Sequence, residues 1–478
     1  MLRFIVENLT SFKDAVEFNC FPSSKSHSHE NHKIDCGHAT VLRLGAIYGA
    51  NGSGKSNLLA AIKLLKNMVE LESMSFLNLP ETLAFRFDAE CQTKPSGMAI
   101  EFFADGNVFY YHIEFDAQRV IVEELFLSKK TKDIRLFVRN EKGISINADY
   151  MVNAGTEQFL DALNRLIRPD MLLLSFLGRY YPKEIPLVSS AYNWFVQSLE
   201  INTPDSIAGM VPHLLDKNPD FEKMVNEIIP QMKTGISKLA VNKEIVGEER
   251  IKSSFELQQI AKRAKKQPGT PIAKIDSQSG DTLNYVFEDG SLYVKRLVSI
   301  HQKLDGTEVE MAMTSESDGT RRLIEYMPFL YAVTKHDGVY FVDELERSMH
   351  PILIKQIMQK LSESDTAKGQ LIFTSHESGL LDQTIFRPDE IWFAQKDTEQ
   401  ATMLYPLSDY NIHKTANIEN GYLMGRYGGI PLLQALDVSM HKVSPMARSS
   451  YLRSQEDKKA GRIEKFSSSE EMFKSLDI

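Results

Sequence analysis

The chain has 478 residues, of which 42% are hydrophobic and 25% charged, and its net charge is −9. These values suit an ordinary globular protein with room for two or more domains, or for one domain with a large insertion. They argue against a protein that coats nucleic acid through its overall field, and they leave a local basic groove for DNA open.

The start, Met1 to Asn8, has no signal-peptide layout, and no apolar run approaches membrane-spanning length. Cys20, Cys36 and Cys91 make no CxxC pair, so a cytoplasmic, reducing setting is expected. Two strands are expected first, around Leu2–Val6 and Ala15–Phe18. Residues 21–40 are polar and contain His27, His29, His32, His38 and Cys36. Their spacing does not match a closed zinc pattern. The composition favours a flexible surface loop, placed near the nucleotide site where it could lean over the base.

The next stretch organises the chain. Gly49-Ala50-Asn51-Gly52-Ser53-Gly54-Lys55-Ser56 satisfies G-x-x-x-x-G-K-[ST] in full. An apolar β-rich run, Val41–Tyr48, precedes it, and a helical pattern with Leu58, Ile62, Leu65 and Val69 on one face follows. The glycines let backbone N–H groups converge on a phosphate chain, and the helix N-terminus adds partial positive charge there. Lys55 then reaches the β- and γ-phosphates, and the Ser56 hydroxyl can ligate Mg²⁺.

From Thr82 to Leu127 four strands are expected, at 83–87, 98–103, 108–115 and 120–125, with turn signals between them. Such a sheet beside a phosphate loop resembles the lobe-I plan of ABC-type ATPases, in which Gln92, between the first two strands, would be the metal- and water-contacting glutamine. Residues 128 to about 275 read as mostly helical. The clearest helices run Glu157–Leu166, Ser190–Leu199 and Pro219–Ile229, the last capped by Asn218. No long heptad run occurs, so a compact insertion is expected rather than a coiled-coil arm. Lys262-Arg263-Ala264-Lys265-Lys266 reads as a solvated helix end, with nucleic-acid contact as the alternative.

The second half supplies partner motifs. Val339-Tyr340-Phe341-Val342-Asp343-Glu344 is an apolar strand ending in two carboxylates, a Walker B pattern. Asp343 is expected to hold Mg²⁺ through water and Glu344 to polarise the attacking water. Upstream, Ser317 and Gly319 open a helical segment, a second anion-binding terminus. Downstream, a strand over Gln370–Thr374 leads to His376, 32 positions after Glu344, where a γ-phosphate sensor would sit.

With these motifs in view the chain resembles ABC-type ATPases of the SMC-like and OLD-like branch. More closely it resembles the prokaryotic "ATP/GTP phosphatase" AAA-domain group that includes RloA and AbiLi. The resemblance rests on Asn8–Lys13, GANGSGKS, Glu316–Thr320, Asp343–Pro351, Phe373–Glu377 and the stretch from Ile391 to Pro431. It implies an α/β fold: an ABC-type P-loop NTPase with an antiparallel β lobe and a mostly helical insertion. The expected division is lobe I at 1–127, the insertion at 128–275, lobe II at 276–435 and a charged tail at 436–478.

The resemblance also implies roles. Ser317-Asp318-Gly319 matches the ABC signature, which contacts the γ-phosphate of ATP held by a second subunit. Glu346 to Ser348 matches the D-loop, which crosses the dimer interface, and His376 matches the switch histidine. Asp318 stands where relatives carry Gly, and Glu346 where Asp is commoner. ATP with Mg is preferred to GTP on the resemblance alone. Composite sites imply a homodimer or higher oligomer. Members of this type usually sit in phage-defence operons beside a separate effector, often a TOPRIM-type nuclease, which leaves room for a phage protein as trigger. Only 45 residues follow Leu433, too few for a nuclease domain of roughly 100 residues. The expected function is therefore an ATP-hydrolysing switch in anti-phage defence. An SMC-like DNA-binding repair clamp is the alternative, and a self-sufficient nuclease is disfavoured.

Overall fold

The computed structural model describes residues 1–429 except 78, 81, 153–155, 204–209, 278, 348, 411, 414 and 415. A six-stranded sheet forms the centre, in the order Leu199–Asn202, Val339–Val342, Gln370–Ser375, Leu44–Tyr48, Ile391–Lys396, Thr402–Pro406. Its first five strands are parallel, and the last returns as an antiparallel hairpin. Strands Leu44–Tyr48, Val339–Val342 and Gln370–Ser375 are buried at every position. That is why they read as unbroken apolar runs: both faces of a parallel sheet are covered.

Alternation across the central strand assigns the layers. Ile47 joins the core shared with helix Lys55–Leu71. Leu44, Ala46 and Tyr48 join the opposite core with helices Asp318–Lys335 and Pro351–Glu363. On the far side of helix Lys55–Leu71 lies a seven-stranded antiparallel sheet. Its order is Gly143–Ile146, Ile134–Asn140, Val120–Ser128, Asn107–Phe115, Ser96–Ala104, Arg3–Glu7, Val16–Asn19. Phe4, Val6, Phe102, Phe109 and Ile113 point from it into the same core as Leu58, Ile62 and Leu65. The glycine-rich loop thus leaves a strand and enters a helix that are both clamped by packed layers.

A third sheet, Ile236–Ile245, Ser291–Gln302, Thr282–Glu288 and Ile272–Ile275, carries Glu308–Ala312 beside its second strand and helix Phe255–Lys266 over one face. Helices predominate between 128 and 275, but the strands there join all three sheets. The third sheet draws strands from both sides of 275. Arg263, Lys265 and Lys266 lie in the last turn of helix Phe255–Lys266, where cations suit the helix dipole.

Three expectations need correction. Leu83–Phe87 is not a strand. Phe85 is fully buried and its amide donates to the Asn8 carboxamide at 3.1 Å, while Leu83 accepts from Thr10 at 2.7 Å. Those two bonds hold the segment to a turn instead of a ladder. The expected helix Ser190–Leu199 ends early: α-helix Pro186–Asn193 widens into a π-turn over Trp194–Ser198 and then becomes strand Leu199–Asn202. The π-turn sets Trp194 flat on Phe102, with centroids 4.2 Å apart, and Phe195 edge-on to it.

The third correction concerns the histidine segment. It holds a 3₁₀ turn, Glu30–His32, and a short hairpin, Lys33–Asp35 with Thr40–Leu42. His32 is fully buried, its Nδ1 2.8 Å from Glu390 Oε1 and its Nε2 3.0 Å from the Ser362 carbonyl. Glu390 precedes strand Ile391–Lys396, and Ser362 ends a helix whose chain re-enters the sheet at Gln370. The segment therefore plugs the edge where these strands begin, opposite the phosphate loop, and does not lean over a nucleotide. Among the described residues no group of three or more His, Cys, Asp or Glu is arranged to hold a metal. Nor is any helix among them long and apolar enough to cross a membrane.

Candidate functional site

The glycine-rich loop closes so tightly that two of its glycines have no room for a side chain. A Cβ on Gly49 would strike the Ala394 carbonyl oxygen and the Ser53 hydroxyl. Gly54 has φ +106°, and a Cβ there would collide with Thr402. Thr402 supports the loop from below: its Oγ1 donates to the Ser53 carbonyl at 3.0 Å and meets Ser11 Oγ at 2.8 Å. Asn57, in the first turn of helix Lys55–Leu71, donates to the same Ser11 hydroxyl at 2.7 Å. This three-way contact ties the Asn8–Lys13 segment to the phosphate loop.

The loop has the inventory of an anion cradle. Asn51 and Gly52 form its exposed tip. The Ser53 hydroxyl oxygen is buried without a hydrogen-bond partner, a cost of about 1–3 kcal/mol that a phosphate oxygen at the loop would relieve. Lys55 is buried, and its Nζ donates to the loop carbonyls of Gly49 at 2.6 Å and Ala50 at 3.2 Å. Burial brings its pKa down to about 8 against the upward pull of Asp343, Glu346 and Glu344.

The carboxylate pair arrives at the same point. Strand Val339–Val342 ends beside Leu44–Tyr48 with one strand between them, so Asp343 emerges next to the loop. Asp343 Oδ1 accepts from Ser56 Oγ at 3.2 Å and from Thr374 Oγ1 at 2.5 Å. A hydroxyl and a carboxylate held together are hard oxygen donors, the set that suits Mg²⁺ with phosphates and waters completing its shell. Glu344 follows at φ +53°, left-handed for a residue with a side chain. Such backbone costs roughly 1–3 kcal/mol and collects at functional sites. Here the Glu344 amide donates to Thr374 Oγ1 at 2.8 Å. One buried threonine therefore fixes both Asp343 and the backbone that carries the neighbouring carboxylate.

A cleft opens above. It is lined by Gly49, Ala50 and Asn51 of the loop, by Glu344, Glu346 and Arg347, by His376 and Ser378, and by Tyr422 and Leu423. Partial burial, and then the Lys55 charge, push the His376 pKa below its usual value. Its amide donates to Glu346 Oε1 at 2.6 Å. The side chain matched to the D-loop thus turns inward onto the switch strand, and Ser348 lies outside the described residues, as does the 436–478 tail.

Ser317 and Gly319 are not brought to this cleft. Ser317 is the N-cap of helix Asp318–Lys335, accepting from Thr320 N at 3.1 Å, and Gly319 lies in its first turn. Glu316 is held behind them by Ser299 at 2.5 Å and His301 at 2.7 Å. Gln92 is exposed and gives its amide to the Arg86 carbonyl at 3.2 Å. Thr402 was not singled out by sequence, and Thr374, Ser11 and Arg347 were named only inside motifs, Arg347 within the stretch matched to the D-loop. The role of Thr374 needs the fold, since Asp343 is 31 positions away.

Fold and cleft together define a P-loop ATPase of the ABC-like class. Within it, the chain belongs to the family described as "AAA domain, putative AbiEii toxin, Type IV TA system", whose match spans residues 45–382. Among curated proteins none matches. Solved structures that are similar include an SMC head bound to the C-winged helix domain of ScpA, with 13% identity, 84% of this chain and 96% of that chain covered, and a TM-score of 0.40. The SMC head domain from Thermotoga maritima matches at 11% identity over 86% and 99% of the two chains, with a TM-score of 0.36.

Proposed function

We propose that the chain binds and hydrolyses Mg-ATP as the switch subunit of an anti-phage, abortive-infection type defence system. The observation that carries the ATPase part is the convergence of Ser56, Asp343, Thr374 and Glu344 beside the phosphate loop. Loop N–H groups and Lys55 hold the phosphates. Ser56 and Asp343 hold Mg²⁺, which neutralises charge on the phosphoryl oxygens. Glu344 orients the water, and His376 reports on the terminal phosphate.

Ser317 and Gly319 complete the site of a second copy, so nucleotide binding drives assembly and hydrolysis releases it. The defence role follows the family and the resemblance, with a separate effector, a TOPRIM-type nuclease, under control of the assembly. The test uses tagged Glu344→Gln protein recovered from its native host with and without Mg-ATP, its complexes weighed by native mass measurement. It is expected to bind ATP without turnover and to form a larger assembly carrying a nuclease. Hydrolysis at the wild-type rate removes Glu344 from its role. An assembly that carries only DNA supports the repair-clamp reading in place of the defence switch.

A further inference from the structure

The turn after the carboxylate pair lies in the stretch matched to the D-loop, expected to reach a second subunit, yet it carries a cation that faces its own chain's cleft. Arg347 lines the cleft with Gly49, Ala50, Asn51 and Glu344. Its amide donates to the Glu344 carbonyl at 2.9 Å, which curls the turn and brings the two side chains together. Arg347 Nη1 stands 4.0 Å from Glu344 Oε2. Both side chains are partly open to solvent, at 48% and 39%, so neither is locked.

Charge in the cleft makes the case for a role. Asp343, Glu344 and Glu346 bring three carboxylates, against two cations, Lys55 and Arg347. A triphosphate adds three to four further negative charges at about this spot. Lys55 is buried and already bonded to the loop. Among the described residues that line the cleft, Arg347 is the one guanidinium. Its present partner is the very carboxylate proposed to hold the attacking water.

Resting on the ATPase reading above, we propose that Arg347 contacts the terminal phosphate of nucleotide bound in its own chain. When nucleotide enters, the guanidinium leaves Glu344 for the phosphoryl oxygens, where its planar fork can donate twice. That move stabilises charge developing on those oxygens and frees Glu344 to hold water. The ion pair with Glu344 is the resting position of a group that acts in cis. A solvent-exposed ion pair with no such role would leave turnover unchanged when broken.

The test compares wild type, Arg347→Ala, Arg347→Lys and Lys55→Ala as full-length chains. Mg-ATP dissociation constants and steady-state kcat and KM are measured, and thermal unfolding checks the fold. Arg347→Ala is expected to lose about tenfold to a hundredfold in kcat with a much smaller change in KM, as for a donor used mainly in the transition state. Arg347→Lys should recover part of the loss, since it keeps charge without the fork. Mixing Arg347→Ala with Glu344→Gln chains should restore nothing, because each site needs its own arginine. Recovery on mixing overturns the action in cis. If Arg347→Ala keeps kcat within about twofold while Lys55→Ala is inactive, this inference falls alone. If Lys55→Ala hydrolyses ATP like the wild type, hydrolysis does not take place in this cleft, and the site reading falls and takes this inference with it.

Discussion

At the residue scale, Lys55 sets a pH dependence for binding. Burial holds its pKa at about 8 in the nucleotide-free cleft, so above that pH much of it is neutral. A bound phosphate favours the charged form and raises the pKa again. The bound state therefore holds more protons than the free state above pH 8. Affinity for Mg-ATP should be flat below pH 8 and fall above it, by up to about tenfold per pH unit. The triphosphate is already fully ionised there, so it adds no slope of its own. Calorimetry at pH 8.5 in two buffers of different ionisation enthalpy should show proton uptake of up to about one per nucleotide. Flat affinity between pH 7 and 9.5 without uptake would mean that Lys55 is already protonated throughout that range in the free cleft, or gains no proton from the phosphate. Lys55 and Asp343 were legible in the sequence because each sits in a short contiguous pattern. Thr402 was not, because it meets Ser53 across 349 positions and no local pattern encodes such a meeting.

At the scale of elements, apolar periodicity located the strands buried on both faces and the long helices beside them. It failed where polar sequence is buried by distant partners. Residues 21–40 have the composition of a surface loop, yet His32 reaches Glu390 and Ser362 more than 300 positions away. Removing the imidazole would leave Glu390 fully buried, its carboxylate keeping the Arg387 amide at 2.9 Å. Burial already pushes the Glu390 pKa up, and the His32 contact is the main influence holding it down. His32→Ala should therefore cost about 2–4 kcal/mol of unfolding free energy, by loss of partners to a buried carboxylate. Lys25→Ala, in the exposed part of the same segment, should stay within about 0.5 kcal/mol. Urea unfolding of both variants decides it. A His32→Ala change as small as that of Lys25→Ala would mean that the segment is only laid on the sheet edge. Because the plug lies opposite the phosphate loop, nucleotide affinity should hold in any His32→Ala protein that remains folded.

At the scale of the whole molecule, the separation of Ser317 from the cleft decides how a complete site can form. Ser317 caps its own helix, its hydroxyl held by Thr320, while Ser317 and Asp318 themselves are exposed at the helix start. One chain has its phosphate loop in one place and this helix start in another, so on the proposed reading two copies are needed to bring both to one nucleotide. Ser317→Asp separates assembly from binding. Aspartate caps helices as well as serine does, so helix Asp318–Lys335 should keep its first turn. Its carboxylate would, however, meet the phosphate of the partner copy, beside the charge of Asp318 already there. In the Glu344→Gln background, Ser317→Asp should bind Mg-ATP within about threefold of the parent but no longer form the larger assembly, since like charges at an interface cost several kcal/mol. Sedimentation of the two proteins with Mg-ATP distinguishes them. If the Ser317→Asp protein still assembles, the helix start faces solvent in the assembly, and the second copy completes the site with other residues or not at all. If it fails to assemble and its binding is intact, the exposed start of this helix is the surface through which one subunit reads the nucleotide of another.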